Sequence, residues 1–175
     1  TEEGFDKTEV LKYAASLERV SEHPLAQAVV EYAKDNDVEL SEVLNFNSTT
    51  GKGIEGEIEN KKIALGSESF LESLGVSTQN IIKEADALRE EANGVIFMAI
   101  DVKFCAIIEI EDPIKTTSSE AIKELQKEGI KVVVISGDNE TTAKAVAKKL
   151  GIDEVYAGIL PEGKAKIVKE LQEKG

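Results

Sequence analysis

The chain has 175 residues, of which 41% are hydrophobic and 31% charged, a length that holds one large domain or two small ones. Its net charge of −13 argues against a nucleic-acid backbone as partner, and 5% aromatics without tryptophan supply no stacking platform for single strands. No run reaches bilayer-spanning length, no signal peptide opens the chain, and a single cysteine, Cys105, excludes a disulfide scaffold. A cytosolic setting fits, and a small polyphosphate held by backbone N–H groups and one or two cations is compatible with the acidic charge.

Asp6 with Glu9 three residues on predicts a capped helix, with Val10, Tyr13, Ala14 and Leu17 at helical spacing up to residues 18–20. Asp6-Lys7-Thr8 imitates the start of a phosphorylated Asp-Lys-Thr-Gly-Thr motif, but Glu9 and Val10 follow and no buried strand precedes it, so capping is the reading. A second helix is predicted over 24–35, with Leu25, Ala28, Val29 and Tyr32 on one face. The elbow between the helices is Ser21-Glu22-His23-Pro24-Leu25, which holds the only histidine of the chain. Proline pushes the preceding residue out of the α region and favours the first helical position. His23 is therefore expected beside unpaired N–H groups, where anions such as phosphate are attracted.

Short strands are predicted over 43–47, 53–58 and 62–65, with Asn60-Lys61 at a hairpin turn and Thr49-Thr50-Gly51-Lys52-Gly53 between the first two. A short helix over 67–74 stops at Gly75, and Ser77 or Thr78 caps another reaching to about residue 92. Strands over 95–100 and 103–110 flank a turn at Asp101-Val102. Cys105 is expected to pack as a small hydrophobe. The first 110 residues thus read as an antiparallel sheet with helices packed on it, an α+β unit.

Glu111-Asp112-Pro113 marks a boundary. Helices over 117–128, 140–150 and from 161 onward alternate with a strand at 131–135, expected to be buried on both faces, and one at 154–157. This is part of an open α/β sheet. Two βα units are too few for a complete domain of that kind, so the chain is expected to be cut at its C-terminus, with the first strand of this sheet missing.

Several constellations carry possible chemistry. Glu18 and His23 lie five residues apart across the helix break, so only a bend brings them together. Gly51-Lys52-Gly53 permits close backbone approach or positive φ, but a plain hairpin turn explains it equally well, and it is neither a Walker loop nor a Rossmann fingerprint. Ser136-Gly137-Asp138 follows a strand at the position where open α/β sheets bind ligands. Lys164, in the first turn of the last helix, opposes the helix dipole unless it faces a phosphate.

Together these residues resemble the cytoplasmic ATP-binding part of P-type ATPases of the heavy-metal-transporting class. Ser21-Glu22-His23-Pro24-Leu25 is that family's Ser-Glu-His-Pro-Leu signature, and Gly51-Lys52-Gly53 matches its Gly-x-Gly loop. Ser136-Gly137-Asp138-Asn139 matches Thr-Gly-Asp-Asn with serine for threonine, and Pro161-Glu162-Gly163-Lys164 matches Pro-x-x-Lys. The order and spacing fit across nearly the whole chain.

The resemblance implies a nucleotide-binding domain over 1–110, joined to part of a haloacid-dehalogenase-like, Rossmann-type phosphorylation domain over 111–175. Glu18 would accept a hydrogen bond from the adenine amino group, and Glu22 and His23 would line the pocket. Gly51 and Gly53 would let the loop close, with Gly66 nearby; Ser67 stands where the family often has asparagine. Ser136 and Lys164 would hold the transferred phosphoryl group, with Asp138 at the site. ATP or ADP is the implied ligand, Mg²⁺ joins it in the intact enzyme, and this chain supplies no metal site. The phosphorylated aspartate is expected before residue 1 and the Mg²⁺-holding acid after residue 175. The implied partners are the pump's actuator domain and transmembrane helices, not nucleic acid. The implied setting is the cytoplasmic side of an integral membrane protein, with the fragment itself soluble. The transported ion is expected to be copper, with zinc or cadmium as alternatives. A haloacid-dehalogenase-type phosphatase with a large cap, which leaves Glu18, His23 and the glycine loop unaccounted for together, and a non-catalytic acidic interaction module are the competing readings.

Overall fold

The computed structural model describes residues 1–21, 23, 25–111 and 114–173. They form two compact units, one of residues 1–85 with 95–110, the other of residues 86–94 with those from 111 onward.

In the first unit, α1 (Lys7–Glu18) starts where the Asp6 carboxylate accepts from the Glu9 N–H at 2.9 Å. Only half of the capping box forms, because the Glu9 carboxylate instead takes the Lys61 ammonium at 2.6 Å and the Tyr13 hydroxyl at 2.8 Å. The second helix, α2 (Ala26–Asp35), buries Ala26, Val29 and Ala33. That stripe differs from the expected one: Ala28 and Tyr32 face solvent, because the core-facing positions are 26, 29 and 33 at helical spacing.

The sheet runs in the order β1 (Leu44–Thr49), β2 (Gly53–Ile58), β3 (Lys61–Gly66), β4 (Gly94–Ile100) and β5 (Lys103–Ile110). Neighbouring strands from β1 to β4 are antiparallel, and a two-residue turn joins β4 to β5, a connection that only antiparallel strands allow. The β2–β3 turn falls on Glu59 and Asn60, both at positive φ (52° and 62°), one residue earlier than expected. Asp101 and Val102 make the second such turn at φ 49° and 62°, as tight hairpins require.

Strand alternation gives the sheet two apolar faces. Ile54, Ile58, Ile63, Leu65, Met98 and Ile100 pack with Val10, Tyr13, Leu17 and Val29 of the first two helices. On the other face, Ala64, Phe97 and Ala99 pack with Phe70, Leu71, Val76 and Ala85. These last come from α3 (Glu68–Ser73), capped by Ser67, from the loop after Gly75, and from the start of α4 (Ile82–Glu90). Each fully buried Leu, Ile or Phe contributes about 1.5–3 kcal/mol, so both layers are needed to hold the sheet. The start of α4 is a correction. It lies four residues beyond Thr78, which is 2% exposed with its hydroxyl unpartnered, so Thr78 is buried rather than capping. Cys105 is fully buried, and burial pushes its thiol pKa up to about 12.

A polar clamp ties α1 to the β2–β3 turn. Lys12 donates to both Glu59 oxygens at 2.9 Å, and Glu59 also accepts from Ser41 at 2.8 Å and Tyr13 at 3.1 Å.

The second unit contains α5 (Thr116–Lys127), β6 (Val133–Ile135), α6 (Glu140–Leu150), β7 (Glu154–Tyr156) and α7 (Pro161–Glu173). β6 and β7 are parallel, with Val134 opposite Val155. Asn139 caps α6, and Gly151 ends it at φ 71°. Residues 86–94 join this unit through α6: Thr142 donates to the Asn93 carbonyl at 3.3 Å and Lys149 to the Glu91 carbonyl at 2.5 Å. The expected double-faced burial of the first strand is not found. All three β6 residues are half-buried, and α5 and α7 bury none, so Leu125, Ile130 and Val168 remain exposed.

Candidate functional site

The elbow between α1 and α2 collects the most unusual group in the first unit. Glu18, the last residue of α1, is 4% exposed, and its Oε2 is buried with no hydrogen-bond partner. Burial raises its pKa, against a lowering hydrogen bond from Ser21 and the lowering effect of the His23 ring when that ring carries charge. The bend thus gives Glu18 and His23 a common electrostatic environment that helix periodicity alone does not provide. His23 is exposed; its Nδ1 accepts from the Leu25 N–H at 3.2 Å and its own N–H donates to Ser21 Oγ at 3.1 Å. The ring therefore caps the entrance to α2, as Leu25 makes no side-chain cap. With Nδ1 accepting, a neutral ring carries its proton on Nε2, which leaves a donor on the solvent side. Glu22 and Pro24 lie outside the described residues.

α1 delivers Glu18 to the sheet through Leu17, whose Cδ1 would lie 2.9 Å from a Cβ on Gly56 of β2. The Thr49–Gly53 turn sits at the start of that same strand. Gly51 is at φ 69°, and the Lys52 N–H closes the turn on the Thr49 carbonyl at 3.0 Å. Gly53 and Gly66 are direct partners across β2 and β3. No hydrogen bond among the described residues joins this turn to Glu18 or His23; what links them is the packing of α1 on β2.

In the second unit, Ser136 and Asp138 meet at the carboxyl ends of the parallel strands. Ser136 Oγ donates to Asp138 Oδ2 at 2.6 Å and accepts from the Asp138 N–H at 3.1 Å. The Ser136 N–H bonds the Tyr156 carbonyl at 2.8 Å, while the Gly158 and Ile159 N–H groups bond the Asp138 and Ser136 carbonyls at 2.9 and 3.0 Å. The segment leading into α7 is thereby fastened to the serine loop. Lys164 stands exposed in the first turn of α7, and its side chain makes no hydrogen bond to Ser136 or Asp138. The Ser136 hydroxyl is thus ordered by Asp138, to which its one proton is donated.

Two residues here were not anticipated from sequence. Ser21 bridges Glu18 and His23, and Phe70 fills the space beside Gly53 and Gly66. Ser21 lay within the quoted signature without a role, while Phe70 carries no local signal, because its partners arrive from two strands. Two hollows among the described residues, one bordered by Glu55, Lys62 and Ala99 and another by Gln126, Lys131 and Glu154, contain none of these side chains. Among the described residues no three His, Cys, Asp or Glu side chains cluster to hold a metal ion, and no helix is long and apolar enough to cross a membrane.

A family model for haloacid dehalogenase-like hydrolases matches residues 1–175, and the chain belongs to that family. It is 43% identical over 171 residues to a copper-exporting P-type ATPase of Legionella pneumophila, covering 98% of this chain and 23% of that protein. It is 40% identical over 169 residues to a silver-exporting P-type ATPase of Salmonella typhimurium, covering 97% of this chain and 20% of the relative. The chain thus spans about a quarter or less of the relatives it matches. Among solved structures, the catalytic domain of the CPx-ATPase CopB-B, described for its conformational changes upon nucleotide binding, superposes with a TM-score of 0.69 at 29% identity, over 98% of this chain and 59% of that one.

Proposed function

We propose that this haloacid dehalogenase-like chain is the ATP-binding cytoplasmic piece of a heavy-metal-exporting P-type ATPase, with copper as the ion exported by the intact pump. The relatives are copper- and silver-exporting P-type ATPases, and the observation that carries the binding role is the buried, unpartnered Glu18 Oε2 beside the His23 ring. A buried carboxylate oxygen without a donor is costly, and an exocyclic amine of a nucleotide base supplies the missing donor. In this reading residues 1–110 bind the nucleotide and residues 111–175 belong to the phosphorylation domain. Glu18 accepts from the base, His23 and Glu22 border it, and the Gly51–Gly53 turn approaches it with Gly66 behind. Lys164 offsets charge on the phosphoryl group, and the Ser136 hydroxyl, whose proton goes to Asp138 at 2.6 Å without ligand, turns that proton to a phosphoryl oxygen. Mg²⁺, when bound in the intact enzyme, supplies further neutralisation of phosphate charge. The intact pump then couples hydrolysis, through an aspartyl phosphate, to metal export, in company with an actuator domain and membrane helices. A phosphatase with a large cap shares Ser136 and Lys164 but gives Glu18 no use.

Titration with ATP and ADP tests this reading. The amides of residues 18–25 and 49–53 are expected to shift in a saturable way; if those amides stay still at saturating ATP, the reading fails.

A further inference from the structure

Gly53 and Gly66 face each other across β2 and β3, and neither needs a positive φ. Their lack of side chains serves packing. A Cβ on Gly53 would overlap the Phe70 ring and lie 2.5 Å from the Leu65 carbonyl oxygen. One on Gly66 would lie 2.5 Å from the Lys52 oxygen, 2.7 Å from Gly53 Cα and 2.7 Å from Phe70 Cδ1. Phe70 is 4% exposed and is itself held by Ser67, whose Oγ accepts the Phe70 N–H at 3.2 Å. The Ser67 N–H in turn donates to the Lys52 carbonyl at 2.8 Å. The residue between the two glycines of the turn is therefore tied to the start of α3, and the ring of that helix fills the space the glycines leave.

We infer that Phe70 is a positioning residue for nucleotide binding: its ring against the Gly53–Gly66 pair, together with the Ser67–Lys52 bond, sets where the Thr49–Gly53 turn stands. This rests on the proposed nucleotide role of that turn. It assigns Gly53 and Gly66 to the support of the turn and Gly51 to its shape.

Phe70→Leu and Ile58→Val decide the matter when compared with the unmodified chain. Ile58 is fully buried at the far end of β2, in the apolar layer on the opposite face of the sheet from Phe70. ATP affinity is read by calorimetry, amide positions by NMR, and stability by urea unfolding. Phe70→Leu is expected to weaken ATP binding about fivefold or more, since a binding loop that is no longer preorganised loses affinity. It should also shift the amides of 49–53 and 66–67 before any ATP is added. Ile58→Val is expected to lose stability while keeping ATP affinity within about twofold, because sites without shared partners act independently. Phe70→Met, which better preserves volume, takes the place of the leucine variant if that one does not fold. A folded Phe70 variant that binds ATP like the parent, or an equal weakening by Ile58→Val, overturns the inference. Absence of ATP binding by the unmodified chain sinks the nucleotide reading itself, so the two failures are told apart.

Discussion

Replacing Glu18 by Gln is expected to move stability and binding in opposite directions, which an indiscriminately damaging substitution does not do. The side chain is 4% exposed, Oε2 has no partner, and burial raises the carboxyl pKa above its ordinary 4.5 despite the Ser21 bond and the His23 charge. Folding therefore disfavours the charged form. Burying an unpartnered polar group costs about 1–3 kcal/mol, and more when it is charged. Gln keeps an acceptor for Ser21 and removes the charge, so a gain of about 1 kcal/mol is expected at neutral pH. The sign with pH follows from the raised value. Such a carboxyl contributes its stability below 4.5, where it is protonated folded or unfolded, and loses it as pH rises through the folded-state value. The advantage of the variant is thus present at neutral pH and fades in acid. Binding goes the other way: a charge-assisted hydrogen bond contributes about 1.5–3 kcal/mol, so ATP affinity should fall about tenfold or more. Urea unfolding at neutral and acidic pH, with ATP calorimetry at neutral pH, reads both. A variant less stable than the parent at neutral pH, or one that binds ATP equally well, refutes the reasoning.

The remaining expectations are simpler. Lys12, Ser41 and Tyr13 hold the Glu59 carboxyl down at about 2, so its clamp stabilises above 4.5 and is lost as pH falls from there through about 2; Glu59→Gln should lower the urea midpoint at neutral pH, with the gap closing in strong acid. An equal gap at both ends of that range would show the clamp to be irrelevant. Gly51→Ala places a side chain at φ 69° and should cost about 1 kcal/mol while weakening ATP binding; unchanged affinity would remove the turn from the site. Asp6→Ala removes a helix cap and should cost about 1 kcal/mol in urea without touching ATP affinity. The Cys105 thiol, fully buried with its pKa pushed up to about 12, should react with a thiol reagent only at the rate of unfolding, and rapid labelling of the folded chain would contradict its burial.

What the sequence showed in advance was what is encoded locally. Asp6 three residues before Glu9, Gly151 after Leu150, and Asp101-Val102 between two apolar runs each act within a few residues, and each is found where expected. What it concealed depends on partners far along the chain. Thr78 carries the chemistry of a cap, but burial under the second apolar layer overrode that propensity and moved the start of α4. Tyr13 meets Glu59 from 46 residues away, and no period in the sequence announces such a clamp. The face of α2 is hidden for a related reason: Tyr32 is large and apolar enough to suggest the core, yet it is Ala26, Val29 and Ala33 that face inward. In the second unit, the apolar run at β6 suggested cover on both faces, and the helices of this unit leave it half-buried. The Ser-Glu-His-Pro-Leu signature pointed to the elbow, but the orphaned oxygen of Glu18 that gives the elbow its chemistry emerges only when α1 folds onto β2.

The glycines show how one residue type can mislead a reading based on spacing. Gly51 bends the chain, and its φ of 69° is the reason for it. Gly53 and Gly66 are extended, and there a missing side chain makes room for Phe70 and for backbone carbonyls. Gly56 does the same for Leu17 and Val43 on the opposite face. A Gly-x-Gly pair therefore carries two separate physical demands, one conformational and one steric, two residues apart. A ligand can meet only what the strands leave open. Within the pair that is Gly51 and Lys52, both exposed, while Gly53 is already partly enclosed by the protein. The nucleotide reading thus places the direct approach at the first glycine and the support at the second, and it makes the packing behind the turn part of what sets affinity.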